Sequence, residues 1–466
     1  MHNLNLRRFF RDLYESIAGT EQDFTSGSLG RAIMLLSIPM VLEMVMESIF
    51  AIVDIYFVSR LGADAVAVVG ITESVITIVY AIAGGMSIAA TALVSRRIGE
   101  KDHQGACRAA FQAIVAAVAV SLILGIPGWF FAEEVLTLMG SPPEEVERFS
   151  GYTSLMIGSN IVIMLLFIIN AVFRSAGDAA ISMKILFIAN LFNIVLDPVL
   201  IFGWGPFPEM GIKGAALATV LGRGLAVVYQ LFLLFRGKHR VSLSLEYLNI
   251  NLKEILKLFR LSMGGIGQSL IATSSWILLV RIIALFGSEA VAGYTIAIRV
   301  ILVSMLPSSG IANAAATLVG QNLGARLPGR AERAVWTTSV INFIIMGGIG
   351  LLFAVSPEPF IRFFTPEQSV IESGSHCLRI MSYGFIFYGV GMVIVNSFNG
   401  AGDTLTPVKI NFFCYWLLEL TVAWLLAVPA RMNEQGVYYA ILIAEAAMTV
   451  TAVLIFRKGK WKLKQV

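Results

Sequence analysis

The sequence predicts an all-α polytopic membrane protein of twelve transmembrane helices, arranged as two parallel six-helix repeats. Composition, the placement of basic residues and an internal duplication predict it. Of 466 residues, 57% are hydrophobic and only 14% charged, and the mean hydropathy is +0.80. Soluble domains carry about a quarter charged residues. An apolar run crosses a bilayer when it reaches about 20 residues.

Twelve such runs are predicted, at 32–58, 65–93, 109–132, 151–173, 182–203, 211–235, 256–286, 289–319, 334–355, 372–398, 407–428 and 436–456. Most of the 34 Lys and Arg side chains lie in the N-terminus, the even-numbered connections and the C-terminus, as in Arg96, Arg97 and Lys101 or Arg236, Lys238 and Arg240. Few lie in the odd connections, and the connection at 132–150 is acidic. The excess of basic residues in inner loops then places both termini in the cytoplasm of a plasma (inner) membrane protein. The net charge of +4 follows from that topology and calls for no nucleic-acid partner.

The first segment, MHNLNLRRFFRDLYESIAG, is too charged for a signal peptide. Leu6, Phe9, Phe10, Leu13 and Ile17 form one apolar face, suited to the inner membrane surface or to covering the cytoplasmic mouth of the bundle. The three cysteines and four histidines show no metal-ligand or redox spacing. No nucleophile elbow, phosphate loop or dinucleotide fingerprint is present. An enzyme, an ATP-driven pump and a cofactor-dependent protein are therefore not expected.

The chain is written twice at an offset of 225 residues. Leu61-Gly62-Ala63-Asp64-Ala65-Val66-Ala67 meets Phe286-Gly287-Ser288-Glu289-Ala290-Val291-Ala292, and Ala176-Gly177-Asp178 meets Ala401-Gly402-Asp403. Leu93-Val94, Gly99, Arg108-Ala109 and Gly211 find their counterparts in the same register. Six spans per repeat make the repeats parallel, with a ligand site expected between them. The expected organisation is a cytoplasmic segment at 1–28, an N-lobe at 29–236, a linker at 237–255, a C-lobe at 256–456 and a basic tail at 457–466.

Carboxylates inside the spans are the candidate functional groups. Glu43, Glu47 and Asp54 share one stripe of the first helix, since at about 100° per residue they stand within about 40° of one another. Asn193 and Asp197 are one turn apart on the fifth helix, and Glu73 lies on the second. The offset of 225 carries Glu43 to Gln268, Glu47 to Ala272, Asp54 to Leu279, Glu73 to Ile298 and Asp197 to Val422. The acids therefore serve a task held by one lobe, and intramembrane acids are functional by default. Asp178 and Asp403 are expected to cap helices. Glu419 and Glu445 are expected to supply packing or cavity polarity. Arg281, Arg299 and Arg379 either pair with acids or extend to the interface.

IPMVLEMVMESIFAIVDIYFVSRLG, GGMSIAATALVSRRIGE, FRSAGD with NIVLDPVLIFG, LVGQNLGA and FNGAGDTLTP, in that order, resemble the multidrug and toxic compound extrusion (MATE) family. The resemblance covers the chain from about residue 28. It implies a two-lobed, twelve-helix antiporter that exports organic cations or other small toxic compounds in exchange for H⁺ or Na⁺, without a cofactor; the expected partners are these small molecules and the lipid bilayer, and the chain is expected to act as a monomer. It assigns cation coupling to Asp54, Asn193 and Asp197, with Pro39 fifteen residues before Asp54. Phe50 departs from the Tyr often found there, which removes a hydroxyl ligand. Ala272 and the region of Tyr388 lack the acids that another branch of the family carries.

With the exchange that the resemblance implies, the acids suggest a cycle. Protons arriving from outside neutralise Asp54 and Asp197, with Glu47 in the same group, and a cationic substrate loses its counter-charge. Glu43, Glu73, Phe50 and Tyr80 are expected to line the substrate cavity, and Pro39 to let the first helix bend. Met34, Met40, Met44 and Met46 could join Phe50 and Tyr80 in a cation-friendly wall or simply pack. The same Asp54, Asn193 and Asp197 oxygens could equally take Na⁺. The alternative, a lipid-linked saccharide flippase of the same broad superfamily, would call for a basic cavity.

Overall fold

A computed structural model describes residues 2–19, 23–237, 239–244 and 249–466. The side chains of Leu6 and Phe9, assigned to the N-terminal apolar face, lie outside the described residues, as do Lys238 and positions 245–248 of the linker. The described chain is helical, without strands. After α1 (His2–Ala18) come α2 (Leu29–Ser59), α3 (Ala63–Gly99), α4 (His103–Phe130), the short α5 (Ala132–Leu138), α6 (Pro143–Gly158) and α7 (Asn160–Ala176). They are followed by α8 (Ala179–Phe202), α9 (Ile212–Phe235), α10 (Leu252–Ile283), α11 (Ser288–Gly324) and α12 (Pro328–Val355). The last group is α13 (Glu358–Arg362), α14 (Gln368–Ser382), α15 (Phe385–Gly400), α16 (Leu405–Asn411), α17 (Leu420–Ala427) and α18 (Asn433–Arg457).

Eleven helices or continuous helix pairs among the described residues are long and apolar enough to span a membrane, and α14 with α15 makes the twelfth. That tenth span, predicted as one run over 372–398, is bent by 55°. The cause is local: the N–H groups of Tyr383 and Gly384 bond three residues back, to Ile380 and Met381, and break the α-helical ladder. The eleventh span changes winding in its middle, where Phe412–Glu419 is π-helical between α16 and α17.

Two compact units divide the chain. The first comprises Met1–Asp23 with Leu42–Met263, and the second Phe24–Val41 with Gly264–Val466. The seams fall inside α2 and α10, so each helix serves both units. The seam in α2 lies two residues beyond Pro39, which is buried. Proline there deprives the Leu35 carbonyl of its helical partner. In the first unit, small and apolar residues of α3, α4 and α7 make the main core, and Val241 and Leu243 of the linker join it. The linker is tied down by Gln112, whose Nε2 donates to the Asn249 carbonyl at 2.7 Å and whose Oε1 accepts from the Asn251 N–H at 3.1 Å.

In the second unit, Arg330 of α12 donates to the carbonyls of Phe24, Ser26 and Gly27, which anchors the entry to α2. Further along, Gly310 of α11 meets the backbone of Val41, where a Cβ would lie 2.7 Å from the Val41 nitrogen. Backbone cannot yield as a flexible side chain can. Gly310→Ala is therefore expected to cost about 1–3 kcal/mol of stability, read as a lower unfolding temperature of the detergent-solubilised protein.

Candidate functional site

The polar groups of the first unit form a chain of contacts along α2. Glu43, 2% exposed, accepts at Oε1 from Arg174 at 2.7 Å and from Asn170 Nδ2 at 3.1 Å. Both partners lie on α7, and Gln230 of α9 donates to Asn170 Oδ1 at 2.6 Å. Glu43 is thus ion-paired with Arg174 through Oε1, while its Oε2 is buried without a hydrogen-bond partner among the described residues. Arg174 sits in the last turn of α7, where the helix dipole favours a cation.

One turn on, Glu47 stays partly exposed and receives Arg223 of α9 at 3.3 Å. The same guanidinium donates to the Tyr80 hydroxyl at 2.9 Å and lies over the Phe50 ring at 4.8 Å. Arg223 is itself buried, at 6% exposure. Phe50 and Tyr80, singled out as a wall for a cation, surround one that belongs to the protein. A flat guanidinium stacked on an aromatic face and forked between an acid and a phenol is well matched to this geometry.

Beyond this knot stand the remaining acids. Asp197 is fully buried on α8, and its Oδ1 accepts from Asn193 Nδ2 at 3.3 Å. Asn193 also reaches the Thr219 hydroxyl of α9 at 3.5 Å. Pro198 follows Asp197 inside α8 and interrupts its ladder at that point. Asp197 has Asp54 as a charged neighbour, and Asp54 has Glu73 and Arg223. Tyr152 of α6 lies within electrostatic reach of Asp54, Glu73 and Asp197 together. Glu73 is exposed on α3. Among the described residues, Asp54 Oδ1, Asn193 Oδ1 and Asp197 Oδ2 are buried without a hydrogen-bond partner. Leaving such an oxygen unsatisfied costs about 1–3 kcal/mol, so a proton or a cation that reached these oxygens would recover that cost.

Asp54, Glu73, Asp197 and Asn193 therefore come together, with Glu47, Phe50 and Tyr80 joined to them through Arg223. Glu43 stands apart on its own pair. Sequence reasoning missed Arg223, Thr219, Tyr152 and the Glu43 partners. Arg223 had a signal, a basic residue in the middle of an apolar span whose counterpart at offset 225 is Met448. Arg174 had none, because its position reads as a span end.

The expected caps differ as well. Asp178 makes no side-chain bond to its helix N-terminus and instead lies 3.8 Å from the His239 ring. Asp403 precedes Thr404, the residue in the cap position of α16, and takes the Thr406 hydroxyl at 2.8 Å and Lys464 at 3.2 Å.

Among known proteins, the MatE family model matches this chain twice, over residues 39–199 and 266–425. The two matches reproduce the internal duplication. The chain is 24% identical over 439 residues to a probable multidrug resistance protein NorM of Thermotoga maritima, spanning 94% of each protein. It is 23% identical over 444 residues to the multidrug export protein MepA of Staphylococcus aureus, spanning 93% of this chain and 94% of the relative. A solved outward-facing multidrug resistance MATE transporter of the MOP superfamily superposes with a TM-score of 0.88 at 24% identity, covering 95% of this chain and 98% of that one. Twice-matched repeats, twelve spans and a fold shared end to end agree: the chain belongs to the MatE family, as a multi-pass membrane transporter and not an enzyme.

Proposed function

We propose that this protein is a secondary active antiporter that exports organic cations or other small toxic compounds in exchange for H⁺, with Asp54, Asn193 and Asp197 as the coupling site. The multidrug resistance and export functions named for the Thermotoga and Staphylococcus relatives support the class of substrate. The observation that carries the coupling site is the set of three buried, unpartnered oxygens on Asp54, Asn193 and Asp197. They belong to two helices of one unit, and a proton shared among them satisfies oxygens that otherwise stay orphaned.

Arg223 refines the charge balance. It neutralises Glu47, which leaves Asp54, Glu73 and Asp197 as the acids free to answer a substrate's charge. Protonation of Asp54 and Asp197 removes that answer and releases the cation outward; deprotonation on the cytoplasmic side restores it. A single, paired Arg does not make the basic cavity that a saccharide-pyrophosphate flippase would call for. Pro39, next to the seam between units, is the point where α2 would bend during the cycle. The proposed antiporter acts as a monomer in the plasma (inner) membrane, and the basic loops support cytoplasmic placement of both termini.

The coupling ion is tested with proteoliposomes and a fluorescent organic cation. An imposed pH gradient in Na⁺-free buffer is expected to drive uptake, and a Na⁺ gradient at equal pH is not. Uptake driven only by Na⁺ would reassign the same oxygens to a sodium site. Uptake driven by neither gradient would remove cation antiport from consideration.

A further inference from the structure

Arg223 is a buried cation in the middle of an apolar span, and ionisable groups at that depth are costly and functional by default. Packing does not demand it. The equivalent position of the second repeat is Met448, buried at 3% exposure.

Three groups hold the guanidinium. One nitrogen donates to the Tyr80 hydroxyl at 2.9 Å, another reaches Glu47 Oε2 at 3.3 Å, and the plane lies over the Phe50 ring at 4.8 Å. An acid beside an aromatic face is also what an organic cation seeks. The Glu47 side chain stays 32% exposed, so the ion pair is not packed shut. Arg223 therefore fills a ready-made cation position with a cation of the protein's own.

The surrounding acids decide what that does to a substrate. Asp54 stands about two turns beyond Glu47 on α2, about 10 Å along the helix axis. Asp54 and Glu73 both feel the charge of Arg223, whereas Asp197 has Asp54 as its charged neighbour. The first positive charge of a substrate is answered by Asp197 with Asp54. A second charge falls to Glu47 or Glu73, and Arg223 acts on both. Like charges at such range in a partly buried site repel far more strongly than they would in water.

We infer that Arg223 is a specificity-determining residue: as a tethered cation it fills the place beside Glu47, Phe50 and Tyr80 where a substrate's second positive charge would bind, and so restricts the site to monovalent organic cations. The inference rests on the proposed function, which gives the first charge to the acids of α2 and α8.

The test is equilibrium binding of ethidium and propidium to the purified, detergent-solubilised full chain. Both dyes carry the same phenanthridinium ring, and propidium adds a quaternary ammonium. Wild type is expected to bind ethidium about tenfold or more tighter than propidium. Arg223→Met is expected to erase that preference. Because this variant leaves Glu47 without its partner, Glu47→Gln combined with Arg223→Met supplies a neutral pair of unchanged net charge, and it is expected to lose the preference as well. Arg223→Lys retains the charge and is expected to retain the preference, which a purely structural role of the guanidinium would not give. Equal affinity of wild type for the two dyes, or binding of neither, would overturn the inference. So would a preference that persists in both Met variants or disappears in Arg223→Lys. Gradient-driven ethidium uptake by wild type separates this inference from the proposed function. Preference without uptake under either gradient sinks antiport and leaves the role of Arg223 standing; uptake without preference does the reverse.

Discussion

Arg174→Met is expected to destabilise the protein more than any other single change near the candidate site, by about 3–5 kcal/mol. It leaves Glu43 buried at 2% exposure with Asn170 as its remaining hydrogen-bond donor. The reverse change, Glu43→Gln, is expected to be milder. Arg174 is 12% exposed at its side chain and sits at a helix end, so its charge can extend toward the membrane surface. Glu43→Leu combined with Arg174→Met is expected to recover much of the loss, because an apolar pair carries no uncompensated charge. Thermal unfolding of the three variants in one detergent gives the order directly. Equal losses for both single variants, with no recovery in the double, would show that the pair does not act as a unit.

The second large effect is on transport. Asp197→Asn is expected to fold normally and to lower gradient-driven cation uptake to a hundredth of wild type or less, about 2.7 kcal/mol in rate terms. The amide retains an oxygen to accept from Asn193 Nδ2, now at 3.3 Å, so the local geometry survives. What disappears is the carboxylate of a fully buried position. Thr219→Ala, which removes a hydroxyl 3.5 Å from Asn193, is expected to cost uptake no more than about tenfold. Glu73→Gln, at an exposed position, is expected to fall between them. Initial uptake rates at matched protein content rank the three. Asp197→Asn transporting as well as Thr219→Ala would remove Asp197 from the coupling site.

Much of the fold was legible because hydrophobic length and basic-loop asymmetry act over whole segments. Eleven spans follow from runs of apolar residues, and the register of 225 residues ties the halves together. The tenth span is different. Its bend at Tyr383 and Gly384 is a matter of two hydrogen bonds, which an apolar run does not reveal. The seam inside α2 was equally hidden: hydropathy sees one helix from Leu29 to Ser59, whereas packing divides it at Val41.

Among the candidate residues, helical periodicity placed Glu43, Glu47 and Asp54 on one stripe but could not say what faces each of them. The answers came from residues far along the chain, 131 positions away for Arg174 and 176 for Arg223. Periodicity reports a face; it carries no information about which neighbouring helix meets it. Hence Glu43, Phe50 and Tyr80 were assigned to the substrate cavity without the arginines that meet them, Arg174 and Arg223. What the sequence did show for Asp54 and Asp197 is that an acid in each of these apolar spans has no counterpart at offset 225, where Leu279 and Val422 stand.

The most direct test of the coupling proposal is proton movement evoked by substrate. Proteoliposomes holding a pH-sensitive dye, in Na⁺-free buffer without an imposed gradient, receive an organic cation outside. Wild type is expected to exchange it for internal protons, with luminal alkalinisation rising with the substrate gradient. Asp54→Asn is expected to show none. Alkalinisation in Asp54→Asn at the wild-type rate would contradict the assignment of coupling to the acids of α2 and α8.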